Sequence, residues 1–188
     1  LKIALADGRD ILSGDAGQED GRASALSASS LRFLNRIGLK LSAHLQPMND
    51  MLITDGKVGD SPVWRLHFGR EVSESDTAQM IENKQLYLAL QERLKSADQI
   101  DIISPAQVKN VTHTISGVTA EVDGKSVSAK LLIAADGAKS GIRDGAGIVT
   151  DGRHYGQSAL VTTISHSLPH DGLALQRFLP GGPLAVLP

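Results

Sequence analysis

Two short apolar runs, each closed by Asp-Gly, limit what this chain can fold into more than any other feature. One is Ile3-Ala-Leu-Ala6 before Asp7-Gly8; the other is Leu131-Leu-Ile-Ala-Ala135 before Asp136-Gly137. Short apolar runs without alternation are the pattern of strands buried on both faces, as in a parallel sheet. Parallel neighbours need long crossover connections. The sequence between the two runs supplies both helical and hairpin patterns, so the expected fold is a mixed α/β core carrying a second, sheet-rich part.

The periodicity predicts a helix over about 24–37, with Leu26, Leu34 and Ile37 near one face, Phe33 beside them and Gly38 as its stop. A longer helix is predicted over about 77–97, where Leu86, Leu90 and Leu94 form an i, i+4 stripe widened by Tyr87. Strand patterns occupy 50–57, 62–68, 100–103, 108–122 and 125–135, the last two forming a hairpin around Asp123-Gly124. Further strands are expected at 155–164 and 174–179, a short helix from Ala138, and polar loops at 13–22 and 69–76. The chain opens inside one strand-like run and closes inside another, Pro183-Leu-Ala-Val-Leu-Pro188, so both ends read as cuts.

Composition narrows the chemistry. The chain has no Cys, which excludes disulfides, thiolate metal sites, iron–sulfur clusters and cysteine nucleophiles. Its formal net charge is -2 and its aromatic content 3%, which argues against a basic field or a stacking platform for nucleic acid. No apolar stretch approaches the roughly 20 residues of a membrane span. His166 and His170 are four apart, but Pro169 between them argues against a shared helical face, so no metal site is expected. No G-x-S-x-G elbow is present, and the carboxylates define no acid/base pair, so no side chain is assigned a catalytic role.

Asp7 ends a buried strand, where an acidic residue of a dinucleotide-binding unit meets a ribose hydroxyl; an Asp-Gly pair that merely begins a turn has the same sequence. The Gly-rich turn of such a unit lies about 20 residues earlier, and no G-x-G-x-x-G occurs in the chain. Asp136-Gly137 repeats the junction ahead of a helix start, with Arg143 placed to neutralise a phosphate. Arg22, before the first predicted helix, and Asn83 and Lys84, near the start of the second, are candidate polar contacts whose alternative is ordinary surface.

Three segments taken together say more. They are Asp20-Gly-Arg-Ala-Ser-Ala-Leu through Asn35-Arg-Ile-Gly38, Leu131-Leu-Ile-Ala-Ala-Asp-Gly-Ala-Lys-Ser-Gly-Ile-Arg143 with Ala146-Gly-Ile148, and Leu175-Gln-Arg-Phe-Leu-Pro-Gly-Gly-Pro-Leu-Ala-Val-Leu-Pro188. In order and spacing they resemble the flavoprotein aromatic hydroxylases of ubiquinone biosynthesis, a group similar in fold to para-hydroxybenzoate hydroxylase. The resemblance runs over essentially the whole chain.

It implies a Rossmann-like FAD-binding domain (1–41 and 81–149) interleaved with a β-rich substrate domain (42–80 and 150–188). It implies cofactor contacts from Asp7, Arg22, Asn83, Lys84, Asp136, Gly137 and Arg143, and substrate-sheet positions for Gln176, Arg177 and Phe178. The implied activity is hydroxylation of a lipophilic aromatic, a polyprenylated phenol, with FAD, NAD(P)H and O2. The implied setting is cytoplasmic, with peripheral contact to the inner membrane or a biosynthetic complex. The family's G-x-G-x-x-G strand, its later Gly-Asp segment and its C-terminal helices have no counterpart among these residues, so these residues alone are expected to be inactive. Two rivals are a hydroxylase of a small soluble aromatic and a non-catalytic fragment that binds a nucleotide or partner.

Overall fold

The computed structural model describes residues 1–13, 20–61, 65–69 and 78–188. Most of the predicted 13–22 and 69–76 loops lies outside the described residues. The first half of the chain holds β1 (Ile3–Ala6), β2 (Ala23–Leu26), α1 (Ala28–Arg36), β3 (Gln46–Met48), β4 (Asp50–Asp55), β5 (Arg65–Phe68) and β6 (Ala78–Glu82). The second half holds α2 (Asn83–Lys95), β7 (Ile100–Ile103), β8 (Val108–Thr114), β9 (Gly117–Val122), β10 (Lys125–Ala129), α3 (Gly141–Gly145), β11 (Leu173–Leu179) and β12 (Gly182–Val186). The elements group into two compact units, Leu1–Ala16 with Leu94–Leu160, and Gly17–Arg93 with Val161–Pro188.

In the first unit β1 and β7 pair in parallel, Ile3 opposite Ile100 and Ala6 opposite Ile103, as the apolar run before Asp7 predicts, but β1 is not buried on both faces as expected: Ile3 is 40% exposed. The strands β8, β9 and β10 form an antiparallel meander. Alternation on β9 buries Val118, Ala120 and Val122 together on one face. The Asp123-Gly124 turn is where the sequence puts it. Both residues have positive φ, +48° and +76°, the conformation that matches the twist of a two-residue hairpin.

Three expectations need correction in this unit. The single strand expected over 108–122 is two, separated at Ile115-Ser116, where Ile115 is fully exposed. Residues 131–135 form no ladder, and Leu131 and Ile133 are 73% and 79% exposed. The stretch 155–160 is exposed and unpaired, as are residues 161–164 of the second unit. Apolar composition gives a segment the capacity for a buried strand; only hydrogen-bonded neighbours make one.

Among the described residues the second unit has two sheets. In one, β6 lies between β2 and β3, antiparallel to both. In the other the order is β12-β11-β4-β5, with β4 and β11 parallel. The predicted helices both begin later than expected. Residues 23–26 are drawn into the ladder with β6, and Ser27 caps α1, its hydroxyl accepting the Ser30 N–H at 3.2 Å. Residues 78–82 likewise form β6, and α2 follows at Asn83 without a break. Gly38 stops α1 as expected, at φ +92°, and the Arg93 Nε–H donates to the Ile37 carbonyl at 2.7 Å, tying α2 to that end.

Two apolar clusters hold this unit. Met48, Ala78, Met80 and Ala174 pack together with Met51 against them. Leu39, Leu41 and Ile81 form the other, covered by Leu26, Leu34, Leu45, Leu86 and Ala89. Ile81 is 1% exposed, and burying such a side chain is worth about 1.5–3 kcal/mol. Ile81→Ala is expected to lower stability by about 2–5 kcal/mol, read as a shift of the urea midpoint, because the cavity adds to the lost transfer energy. Ile115→Ala, on the exposed turn, is the control and should stay within about 0.5 kcal/mol of the parent.

Candidate functional site

The predicted site residues fall into three local arrangements, two in the first unit and one in the second, with β11 adding a fourth surface.

Asp7 follows β1 directly. Its N–H donates to the Ile103 carbonyl at 3.3 Å and its carbonyl accepts the Ala106 N–H at 2.7 Å, so the sheet fixes its backbone. Oδ1 accepts the Arg9 N–H at 2.8 Å, the bond of an Asp-initiated turn, with the Arg9 guanidinium 3.7 Å away. Oδ2 has no hydrogen bond among the described residues, and the side chain is 34% exposed. Asp7 therefore both starts a turn and keeps an acceptor that fits a ribose hydroxyl.

Asp136 and Gly137 lie beside a cleft of about 410 Å³ lined by Leu132, Ala134, Ile142, Ile148 and His113 among others. Gly137 has φ +86°, a left-handed conformation that glycine adopts without strain. Asp136 Oδ1 accepts the Ser140 hydroxyl at 2.5 Å and Oδ2 accepts the Ile142 N–H at 3.3 Å. The Ser140 hydroxyl oxygen in turn accepts the Arg143 N–H at 3.0 Å, capping α3. The Ser140 hydroxyl above all holds the Asp136 carboxyl below its ordinary range; burial opposes it, and backbone N–H bonds add individually smaller lowering effects. Arg143 donates from Nη1 to the Ala138 carbonyl at 2.9 Å and from Nε and Nη2 to Asp144 Oδ1. Its guanidinium is engaged within the loop.

In the second unit Arg22 leads into β2 rather than into a helix, correcting its expected place. Asp20, to which the sequence reading gave no role, organises this corner. Arg22 donates to its carboxylate through Nε at 2.7 Å and Nη2 at 2.8 Å, a forked pair, and through its backbone N–H at 3.1 Å. The Asn83 side-chain amide donates to Oδ2 at 3.1 Å. The Ser24 hydroxyl donates to the Asn83 amide oxygen at 2.6 Å, and the Asn83 N–H donates to the Arg22 carbonyl at 2.9 Å. The Arg22 side chain, then Asn83, then the Arg22 N–H hold the Asp20 carboxyl far below the ordinary range, and the same pairing raises Arg22. The only sequence sign of this cluster is the Asp-x-Arg spacing, which is too common to be read alone.

Arg22 Nη1 has no partner among the described residues, and Lys84, half-buried in the first turn of α2, has no ion pair among them. Both are cations that could meet a phosphate, Arg22 with Asp20 beside it. On β11 the side chains alternate, so Gln176 and Phe178 share one face and Arg177 takes the other. Arg177 Nη2 donates to the carbonyls of Lys57 at 2.5 Å and Asp60 at 2.9 Å, pinning the turn after β4.

Residues 13–174 match the FAD binding domain family, and the chain belongs to it. The whole chain is 35% identical over 191 residues to the ubiquinone hydroxylase UbiL of Rhodospirillum rubrum, covering 44% of that protein. It is 32% identical over 181 residues to the mitochondrial ubiquinone biosynthesis monooxygenase COQ6 of Danio rerio, with 89% of the chain and 37% of that protein covered. The chain thus spans less than half the length of these curated relatives. Among solved structures it resembles PqsL of Pseudomonas aeruginosa, a probable FAD-dependent monooxygenase, at a TM-score of 0.64 and 12% identity, over 82% of this chain and 41% of that one. It also resembles 2,6-dihydroxypyridine-3-hydroxylase of Arthrobacter nicotinovorans, at 0.62 and 16%, over 98% and 50%. The fold is accordingly the mixed α/β fold of the para-hydroxybenzoate hydroxylase-like flavoproteins.

The Asp20 cluster has a pH signature. Its folded carboxyl titrates below the unfolded value of about 3.9, so the unfolded chain binds more protons in acid and this contribution to stability rises with pH. It is fully present above that value and is lost as pH falls below it towards the depressed folded value. Asp20→Asn should therefore be less stable than the parent at pH 7 and pH 5, with the difference narrowing below about pH 4. Urea midpoints of both proteins along a pH series check this; a gap that stays constant into acid would contradict it.

Proposed function

We propose that the whole protein is an FAD-dependent, NAD(P)H-using monooxygenase that hydroxylates an aromatic ring, a polyprenylated phenol in ubiquinone biosynthesis. The observation that carries this reading is the similarity of the whole chain to a ubiquinone hydroxylase. When bound, the reduced flavin supplies the activation of O2 and the transfer of one oxygen atom to the ring, the other leaving as water with electrons from NAD(P)H. The chain's own residues bind and orient.

Asp7 accepts a ribose hydroxyl through its unused oxygen. Arg22 and Lys84 offer cationic donors to phosphate, with Asn83 fixing Arg22 through Asp20. Gly137 lets the backbone turn after residue 136, and Asp136 and Arg143 hold that turn in shape. Gln176 and Phe178 face the ring, while Arg177 secures the neighbouring turn. The expected domain division is 1–41 with 81–149 for the cofactor and 42–80 with 150–188 for the substrate.

A lipid-tailed substrate calls for contact with the membrane surface or with a biosynthetic complex. Among the described residues no helix is long and apolar enough to cross a membrane. Turnover of prenylated against plain phenols separates this reading from a hydroxylase of small soluble aromatics.

Asp7→Ala in the whole protein should weaken FAD binding about tenfold or more, the scale of a hydrogen bond to a charged group. Titration of the apoprotein with FAD, followed by visible absorption, measures it. A parent protein that takes up no flavin would overturn the proposal.

A further inference from the structure

The strands β1 and β7 run in parallel and end together, and in open α/β sheets ligands bind beyond the carboxyl ends of such strands. The register that sets Ala6 opposite Ile103 carries on by one step. The Asp7 N–H donates to the Ile103 carbonyl at 3.3 Å, which stands Ser104 beside Asp7. Residues opposed in this way have their side chains on the same side of the sheet. The next residue, Pro105, has no N–H, so the Asp7 carbonyl takes the Ala106 N–H instead, at 2.7 Å. The chain is thus tied to Asp7 on both sides of Ser104.

The Ser104 side chain is out of keeping with this ordered edge. Its Oγ is buried and has no hydrogen-bond partner among the described residues. Most buried side-chain polar atoms are paired, and a hydroxyl buried without a partner weakens a fold. Alanine would fill nearly the same space without that cost. Ser104 as a residue is only half-buried, and rotation about its Cα–Cβ bond moves Oγ between staggered positions, so the hydroxyl can turn to meet a ligand. Asp7 supplies the complementary group. Its Oδ2 has no bond among the described residues and, as a carboxylate oxygen, can only accept, whereas the Ser104 hydroxyl can donate. A ribose carries two neighbouring hydroxyls, each both donor and acceptor. A fixed acceptor beside a free donor suits that diol, and a carboxylate alone offers only half of the pairing.

We propose that Ser104 is a further cofactor-binding residue, its hydroxyl donating to the adenosine ribose of the flavin nucleotide while Asp7 accepts from it. The inference rests on the FAD reading above and extends it to a residue outside the sequence motifs. The test uses the whole apoprotein, with FAD and ADP affinities from titration and stability from the urea midpoint without ligand. ADP carries the adenosine ribose without the flavin.

Ser104→Ala should weaken both ligands by about three- to tenfold, the range of one hydrogen bond. Its urea midpoint should stay level or rise, because no bond is lost from the unliganded fold. A purely structural role would lower that midpoint. Ser104→Thr keeps the hydroxyl and should stay within about twofold of the parent for FAD, less than one hydrogen bond is worth. FAD or ADP affinity unchanged in Ser104→Ala, a lowered midpoint, or Ser104→Thr as weak as Ser104→Ala would overturn the inference. A parent that takes up FAD with an indifferent Ser104→Ala loses only this inference. A parent that binds ADP but no FAD loses the monooxygenase reading, and the ADP arm still decides for Ser104; one that binds neither loses both.

Discussion

The strand β6 is the constraint on which the second unit depends. Five residues long, it pairs with β2 on one side and β3 on the other, and its alternation feeds both apolar clusters. Ala78 and Met80 enter one cluster and Ile81 the other. Because α2 starts at the next residue, β6 also sets where Asn83 stands. The backbone bond from Asn83 to the Arg22 carbonyl continues the β2–β6 ladder, and the Asn83 side chain then reaches Asp20. A hydrophobic arrangement thereby fixes a polar one. The forked Arg22–Asp20 pair would hold a cation in place at little net energy on an exposed surface; here it is anchored by the ladder beneath it.

In the β12-β11-β4-β5 sheet the pleat decides which side chains share a face. Arg177 shows why a residue cannot be given a role from its neighbours in sequence. It sits between Gln176 and Phe178, yet the pleat turns it away from them, and its bonds to Lys57 and Asp60 join β11 to the turn after β4. A guanidinium whose Nη2 is held by two backbone carbonyls acts as a strut.

Much of this was legible from the residues. The Asp123-Gly124 hairpin, the strand ahead of Asp7 and the stop at Gly38 follow from local rules that tertiary contacts did not override, whereas the leucine stripe of α2 was overridden: Leu90 is exposed and Gln91 is the buried residue. The entries into both helices did not follow. Residues 23–26 and 78–82 contain good helix formers, and it is pairing with each other, and of 78–82 with β3 as well, that makes them strands, contacts between segments far apart in the chain. The same holds for Asp20, whose partner Asn83 lies 63 residues away. Of the candidate site, single residues at strand ends could be named, but which of their hydrogen-bonding atoms were already taken could not.

That last point separates the two Asp-Gly junctions. In sequence they are the same device, an apolar run, an aspartate and a glycine. In the fold Asp136 has both oxygens committed, one to the Ser140 hydroxyl and one to the Ile142 N–H, and its carboxylate serves to shape the turn into α3. Asp7 has one oxygen committed to the Arg9 N–H, its backbone locked by β7, and one oxygen to spare. A rigid backbone with an unused acceptor is a binding group; a fully bonded carboxylate is a structural one. The junctions are therefore not interchangeable. The proposed ribose contact falls to Asp7, whereas the Asp136 carboxylate keeps the turn at Gly137 fixed.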